Sequence, residues 1–316
     1  MPGRDLGNGK LTAEALHMPD GARLPLHRWP VPDGTAAKAV FLGVHGFNDY
    51  GHAFFLPGRW WAARGIEVYA YDQRGFGGAP HPGRWAGAGR LTRDLAQAVE
   101  LIRTRHPGIP LYLMGVSMGG AVILAAAETG ILPTVSGVIL AAPAVWARST
   151  MPFYQRWALW LGARTVPWLT LTGEGLDRWP TDNMAVLHAM SRDPKVIKAT
   201  RVDAMYGLTN LMDTALNAGA SLPEPALLLY GAQDQIVPPA PMHRFWCATK
   251  GRQAVTRAYY PNGYHMLLRD QQALTVWRDV AAWIEAPGTS LPSGQGQNAL
   301  PRLLAAIGGE AACHDD

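Results

Sequence analysis

Hydrophobic positions along this chain follow two rhythms. Residues 39–46, AVFLGVHG, form a short unbroken apolar run, rich in β-branched side chains and ending in glycine, which predicts a strand buried on both faces that empties into a loop. Similar runs recur at 66–71, 109–115, 135–142 and 226–230. Between them the apolar residues space out to helical intervals. Over 91–105, Leu91, Leu95, Ala98, Val99 and Ile102 share one face, while 118–128 is small and apolar all round. Strands alternating with helices predict an α/β fold, a doubly wound and mostly parallel sheet covered on both sides.

The alternation lapses between about 145 and 222. No clear strand is legible there, only short amphipathic pieces rich in Trp, Leu and Met and broken by Pro152, Pro167, Pro180 and Pro194. A strand–helix core that resumes after such an interruption predicts an inserted helical cap, with extra packing helices as the plainer reading. The chain then divides into core 1–144, cap 145–222, core 223–286 and a flexible tail 287–316, whose first stretch has linker composition.

The helix predicted at 118 starts directly after the strand predicted at 109–115, and Gly115-Val116-Ser117-Met118-Gly119-Gly120 joins them. A G-x-S-x-G sequence in strand–turn–helix context is a nucleophile elbow: the turn is too tight for side chains at Gly115 and Gly119, and it lifts the serine hydroxyl above the sheet. Ser117 is the candidate nucleophile. The Met118 N–H, at the positive end of the helix, is one candidate oxyanion donor; the Phe47 N–H, in the loop after the run at 39–46, is the other.

A serine hydroxyl needs an imidazole to take its proton and a carboxylate to hold that imidazole. In PALLLYGAQD an apolar strand ends in a glycine turn carrying Asp234, and His265 follows YYPNGY about thirty residues later, again just past a predicted strand. The order Ser, Asp, His suits this fold. Two residues compete for these parts. Asp72 also sits at a strand end but precedes Ser117 and neighbours Arg74 and Gly75, so it reads as an ion pair or turn brace; His45 reads as a loop brace. Asp94 and Asp203 are left as structural or surface acids.

Composition narrows the picture in three ways. Charged residues are only 16% of the chain against 48% hydrophobic, which suits a globular protein and not a disordered one. The net charge of +4 comes from scattered Arg and Lys without basic runs, which argues against a nucleic-acid surface. Cys247 and Cys313 are the sole cysteines, too few for a disulfide framework or a cysteine-rich metal site, and no metal or organic cofactor is expected. No apolar run is long enough to span a bilayer, and the first residues lack a signal-like apolar core, so a cytoplasmic location is expected.

The pieces HGFNDY (45–50), YDQRGFG (71–77), GVSMGG (115–120), GAQDQIVP (231–238) and YHMLLRD (264–270) together resemble the monoacylglycerol lipase and lysophospholipase-like branch of the α/β-hydrolase superfamily, over residues 39–285. The resemblance implies Ser117 as nucleophile, Asp234 as acid, His265 as base, and Phe47 and Met118 as the oxyanion hole. It also implies a cap between the sixth and seventh strands and a monoacylglycerol, lysophospholipid or simple ester as substrate. Within 145–222, Phe153, Trp157, Trp160, Leu161 and Trp168 recur at roughly helical spacing. Trp157 and Trp160 are therefore candidates for acyl-chain binding or for peripheral contact with a lipid interface, against ordinary packing. Thioester, amide or carbon–carbon hydrolysis on the same triad, and a non-catalytic ligand-binding sensor, remain the competing functions; the oligomeric state stays open.

Overall fold

A computed structural model describes residues 7–173, 175, 177–308 and 313. The chain opens with three antiparallel strands, β1 (Lys10–Leu11), β2 (Ala15–His17) and β3 (Arg23–Trp29). The core follows as β4 (Ala39–Val44), α1 (Phe55–Ala62), β5 (Ile66–Tyr71), α2 (Ala88–Arg105), β6 (Leu111–Val116), α3 (Met118–Glu128) and β7 (Gly137–Ala141). An insertion carries α4 (Phe153–Thr165), β8 (Thr170–Thr172), α5 (Met184–Arg192), β9 (Ala199–Arg201) and α6 (Val202–Asn217). The core resumes with β10 (Ala226–Gly231), α7 (Pro239–Cys247), β11 (Val255–Tyr260) and α8 (Ala273–Glu285), and α9 (Ala299–Ala306) follows.

The main sheet has the order β1-β2-β3-β5-β4-β6-β7-β10-β11, parallel from β5 to β11. Strands β4, β5, β6, β7 and β10 are buried along nearly their whole length, which is why their sequences read as unbroken apolar runs. Two apolar clusters cover the two faces. One holds Val40, Leu42 and Leu113 against residues of α2, α3, α6 and α7; the other holds Phe41, Val68 and Met114 against Trp61 of α1 and Val276, Val280 and Trp283 of α8. Because β4 lies between β5 and β6, the chain leaves β4 and β6 toward opposite faces. Their C-terminal ends therefore bound a crevice, the place where such sheets hold ligands.

Four features depart from the sequence reading. The antiparallel start β1–β3 carries no long apolar run: in β3 only Leu24 and Leu26 turn inward, beside Pro25, so its signal is weak. The insertion holds a two-stranded ribbon, β8 with β9, whose exposed or half-exposed residues gave no buried-strand pattern. Helix α6, inside the segment read as a cap, packs Leu211, Ala215 and Leu216 into the main core. The tail expected to be flexible contains α9, which buries Ala299 and Leu303 against the β11 and α7 side, and Cys313 is bonded to Cys247. Two cysteines make no disulfide framework, but they do make this one bond, which the sequence did not indicate: 66 residues separate them, and the return of the chain along α9 brings them together. The rest of the tail beyond 308 lies outside the described residues.

Candidate active site

Ser117 sits between the last residue of β6 and the first of α3, with φ 51° and ψ −115°. A non-glycine residue in that region is strained, by about 1–3 kcal/mol, and persists only if its surroundings hold it. Here the Ser117 N–H donates to Ala141 O at 3.0 Å, and its carbonyl accepts from Ala121 N and Ala144 N at 3.2 and 3.0 Å. The flanking glycines have no alternative. A Cβ on Gly119 would stand 1.9 Å from Val44 O, and one on Gly115 would stand 2.4 Å from Gly120 Cα. The turn is thus specified by close approach of backbones, as the sequence motif predicts.

On the neighbouring strand ends, Asp234 follows β10 and His265 follows β11, and β10 and β11 pair in parallel to their last residues, Gly231 opposite Tyr260. Asp234 Oδ2 accepts from His265 Nδ1 at 2.8 Å. Its Oδ1 accepts the N–H groups of Ile236 and Val237 at 2.8 and 2.9 Å, so the carboxylate is held from behind and both residues are buried. A carboxylate on Nδ1 leaves Nε2 as the free nitrogen, the arrangement a general base requires. No hydrogen bond joins Ser117 Oγ to the imidazole among the described residues; in hydrolytic sites without substrate that bond is often long and forms only when substrate binds.

The two amides chosen from the sequence are both available. Neither the Phe47 nor the Met118 N–H has a backbone or side-chain acceptor among the described residues. Gly46, next to Phe47, lies where a Cβ would be 3.4 Å from the Ser117 Cβ, which places this loop directly beside Ser117. The first turn of α3 adds the positive end of its dipole.

The rival residues are occupied elsewhere. His45 is fully buried; its Nδ1 donates to Gly46 O at 2.8 Å, its Nε2 accepts from Gln73 N at 2.9 Å, and Gln73 Nε2 donates back to His45 O at 2.8 Å. Burial lowers its pKa, keeping the ring neutral, so it braces the loop that carries Phe47. Asp72 accepts from Gly51 N and Gly78 N at 2.9 and 2.8 Å and pairs with His27 at 2.9 Å. Burial pushes its carboxyl up, but the His27 and Gly78 hydrogen bonds outweigh that and hold it below the usual range. It is a turn brace whose ion pair is with His27, while the neighbouring Arg74 binds Asp94 and Asp20 instead. Asp203 pairs with Arg201.

Trp157 and Trp160 lie on α4, which has no buried residue. They stand 65% and 41% exposed, edge to face at 5.6 Å, and line an open groove of about 360 Å³ with Arg148 and Arg156. Phe153 and Trp168 are more than 60% exposed, at 73% and 64%. The stripe therefore faces outward, and ordinary packing does not account for it. Among the described residues, a group that could face a metal ion is His243 with Cys247 and Cys313, but the two sulfurs are bonded to each other and so are not thiolates. No helix among the described residues is long and apolar enough to cross a membrane.

Sequence reasoning missed the polar segment 178–183 of the insertion, which crosses the loops bearing Asp234 and His265. Trp179 N donates to Gln235 Oε1 at 2.8 Å and Met266 N donates to Pro180 O at 2.9 Å. No local signal announces it, because its partners lie more than fifty residues away.

The family described as serine aminopeptidase, S33, matches residues 35–272. The chain is 28% identical over 285 residues to a monoacylglycerol lipase of Mycolicibacterium smegmatis, covering 84% of this chain and 93% of that one. It is 27% identical over 290 residues to the human monoglyceride lipase, covering 86% and 91%. Among solved structures, a soluble variant of monoglyceride lipase from Saccharomyces cerevisiae, in complex with a substrate analog, superposes with a TM-score of 0.73 at 24% identity, covering 89% of this chain and 95% of that one.

Proposed function

Because the chain belongs to the α/β-hydrolase family described as serine aminopeptidase, S33, on its monoacylglycerol lipase-like branch, we propose that it is a serine hydrolase that cleaves lipophilic carboxylic esters through an acyl-enzyme on Ser117. One observation carries the reading: a strained serine at the end of β6 shares a sheet edge with a buried Asp234–His265 pair and with two amides that have no acceptor among the described residues.

In this reading His265 Nε2 takes the Ser117 hydroxyl proton as Oγ attacks the ester carbonyl carbon. The carbonyl oxygen becomes an oxyanion held by the Phe47 and Met118 N–H groups, and Asp234 stabilises the imidazolium. Collapse of the tetrahedral adduct breaks the bond to the alcohol oxygen, which leaves with the proton from His265. Water, deprotonated by the same nitrogen, then attacks the acyl carbon and releases the acid together with free Ser117. Apart from the ester and the water, every group in these steps is supplied by the protein.

The outward stripe on α4 supports a lipophilic substrate drawn from an interface, with monoacylglycerols as the first class to examine and lysophospholipids the second. Trp157, Trp160 and Phe153 would rest in the lipid headgroup region while Arg156 and Arg164, on the same helix, meet anionic headgroups. This favours interfacial contact over a closed acyl tunnel roofed by those tryptophans.

A fluorophosphonate probe tests the central assignment. The wild type is expected to label, Ser117→Ala is not, and ester turnover should fall by about a million-fold in that variant. Labelling or turnover that survives Ser117→Ala removes the proposal. Screening p-nitrophenyl esters against the matching anilides and thioesters then separates ester cleavage from the other reactions open to the same triad.

A further inference from the structure

The loop that carries His265 is clamped from outside the core. Residues 178–183 of the insertion run over it and over the Asp234 loop together: Arg178 donates to Gln235 O at 2.6 Å and Trp179 N to Gln235 Oε1, one residue past Asp234. On the base side, Met266 N donates to Pro180 O, Asn183 Nδ2 to Arg269 O at 3.0 Å, and Gln271 N to Asp182 Oδ1 at 2.9 Å. At the centre lie two buried polar side chains, Thr181 at 1% and Asp270 at 2% exposure. Asp270 Oδ2 accepts the N–H of Tyr264, the residue before the imidazole, at 2.7 Å. The Thr181 hydroxyl favours the ionised carboxylate, and its Oγ accepts Asn183 N at 3.2 Å. Asp270 Oδ1, however, is buried with no hydrogen-bond partner among the described residues.

An unsatisfied carboxylate oxygen in the interior is costly, so a fold that keeps one calls for a reason. We propose that Asp270 is a positioning residue for His265, and that Thr181 supplies the opposing half of the clamp, so that the catalytic base is in place only when the insertion is seated on the core. The carboxylate fixes the backbone one residue before His265, and the insertion holds the same loop on both sides of the carboxylate, through Pro180 O on Met266 N and Asp182 Oδ1 on Gln271 N. Lifting residues 178–183 releases both the acid loop and the base loop, which couples the position of the cap to the chemistry. Other charged groups near the clamp are Asp182, which opposes ionisation of Asp270, and His265, which favours it; Arg269 is engaged with Asp49 of the oxyanion loop. Burial, the largest influence, raises the Asp270 carboxyl to about 6.

The inference rests on the triad reading, and its test is kept separate from it. Using a short water-soluble p-nitrophenyl ester, kcat and KM are measured from about pH 4.5 to about pH 8 for the wild type, Asp270→Asn, Thr181→Val and Thr181→Ser. Asp270→Asn and Thr181→Val are expected to lower kcat roughly ten- to a hundredfold with KM nearly unchanged, and Thr181→Ser to restore most of it. The ratio of wild-type to Asp270→Asn kcat should rise with pH through about 6 and then level, because the ionised carboxylate is the better acceptor. A ratio flat with pH, a loss confined to KM, or an unaffected Thr181→Val overturns the proposal. Should Asp270→Asn fail to fold, the Thr181 pair decides alone: loss with rescue supports the clamp, and no loss ends it. Fluorophosphonate labelling that depends on Ser117 shows the triad reading intact, so a flat ratio alongside it sinks only the clamp.

Discussion

Ser117 is held against its own backbone preference by three main-chain hydrogen bonds and two glycines that tolerate no Cβ, and that is the form a nucleophile elbow must take. At this scale the roles of the two strand-end acids diverge. Asp234→Asn should leave a folded protein whose turnover falls by on the order of 10⁴, since an amide on Nδ1 misdirects the imidazole tautomer. Asp72→Asn should leave turnover per folded molecule nearly intact while costing about 1–3 kcal/mol of stability, because a buried acceptor of three hydrogen bonds is replaced. Kinetics paired with urea denaturation on the two variants checks both; the reverse pattern would exchange their roles. Sequence order and strand-end position had already singled out Asp234, whereas the His27 partner of Asp72 was invisible, lying 45 residues upstream in a strand with little apolar signal.

Helix α4 shows what periodicity can and cannot say about an element. The spacing of Phe153, Trp157, Trp160 and Trp168 is legible in the sequence, but an apolar stripe looks the same whether it faces a core, a ligand or an interface. The structure turns it outward, with Arg164 stacked on Trp160 at 4.3 Å from the ring centroid. Trp157→Ala combined with Trp160→Ala should weaken binding to anionic phospholipid vesicles by roughly tenfold or more, while a soluble short-chain ester is turned over as before. Vesicle sedimentation beside a chromogenic assay reads both, and unchanged sedimentation would reject the interfacial role. Helix α6 makes the converse point: its inward side chains belong to the main core although its sequence neighbours belong to the insertion.

For the molecule as a whole, two long-range links should govern stability. Asp270 has its carboxyl raised from 3.8 to about 6 by burial, so its favourable contribution is fully present below about pH 3.8 and lost as pH rises through 6. Between about pH 4 and about pH 7 the stability of the wild type should therefore fall by about 3 kcal/mol relative to Asp270→Asn, measured as the change in the gap between their denaturation curves. Paired with the slower turnover expected of that variant, such a result would mark a site where stability yields to positioning. The Cys247–Cys313 bond closes a 66-residue separation, and Cys313→Ser should cost up to about 4 kcal/mol in oxidising buffer. Thiol reductant should bring the wild type to the same melting temperature, and equal melting temperatures without reductant would show the link to be thermodynamically idle.

The sequence by itself determined the alternating core, the tight turn at Ser117 and the strand-end order of Ser117, Asp234 and His265. Each rests on a local constraint, the two- or 3.6-residue rhythm of burial or the clash a side chain would meet in a tight turn. Tertiary structure alone decided that Asp234 faces the imidazole and Asp72 does not, that the tryptophans of α4 point outward, that the tail returns to Cys247, and that residues 178–183 close over the loops bearing Asp234 and His265. Those contacts join residues tens to hundreds of positions apart, so no short window of sequence contains both partners.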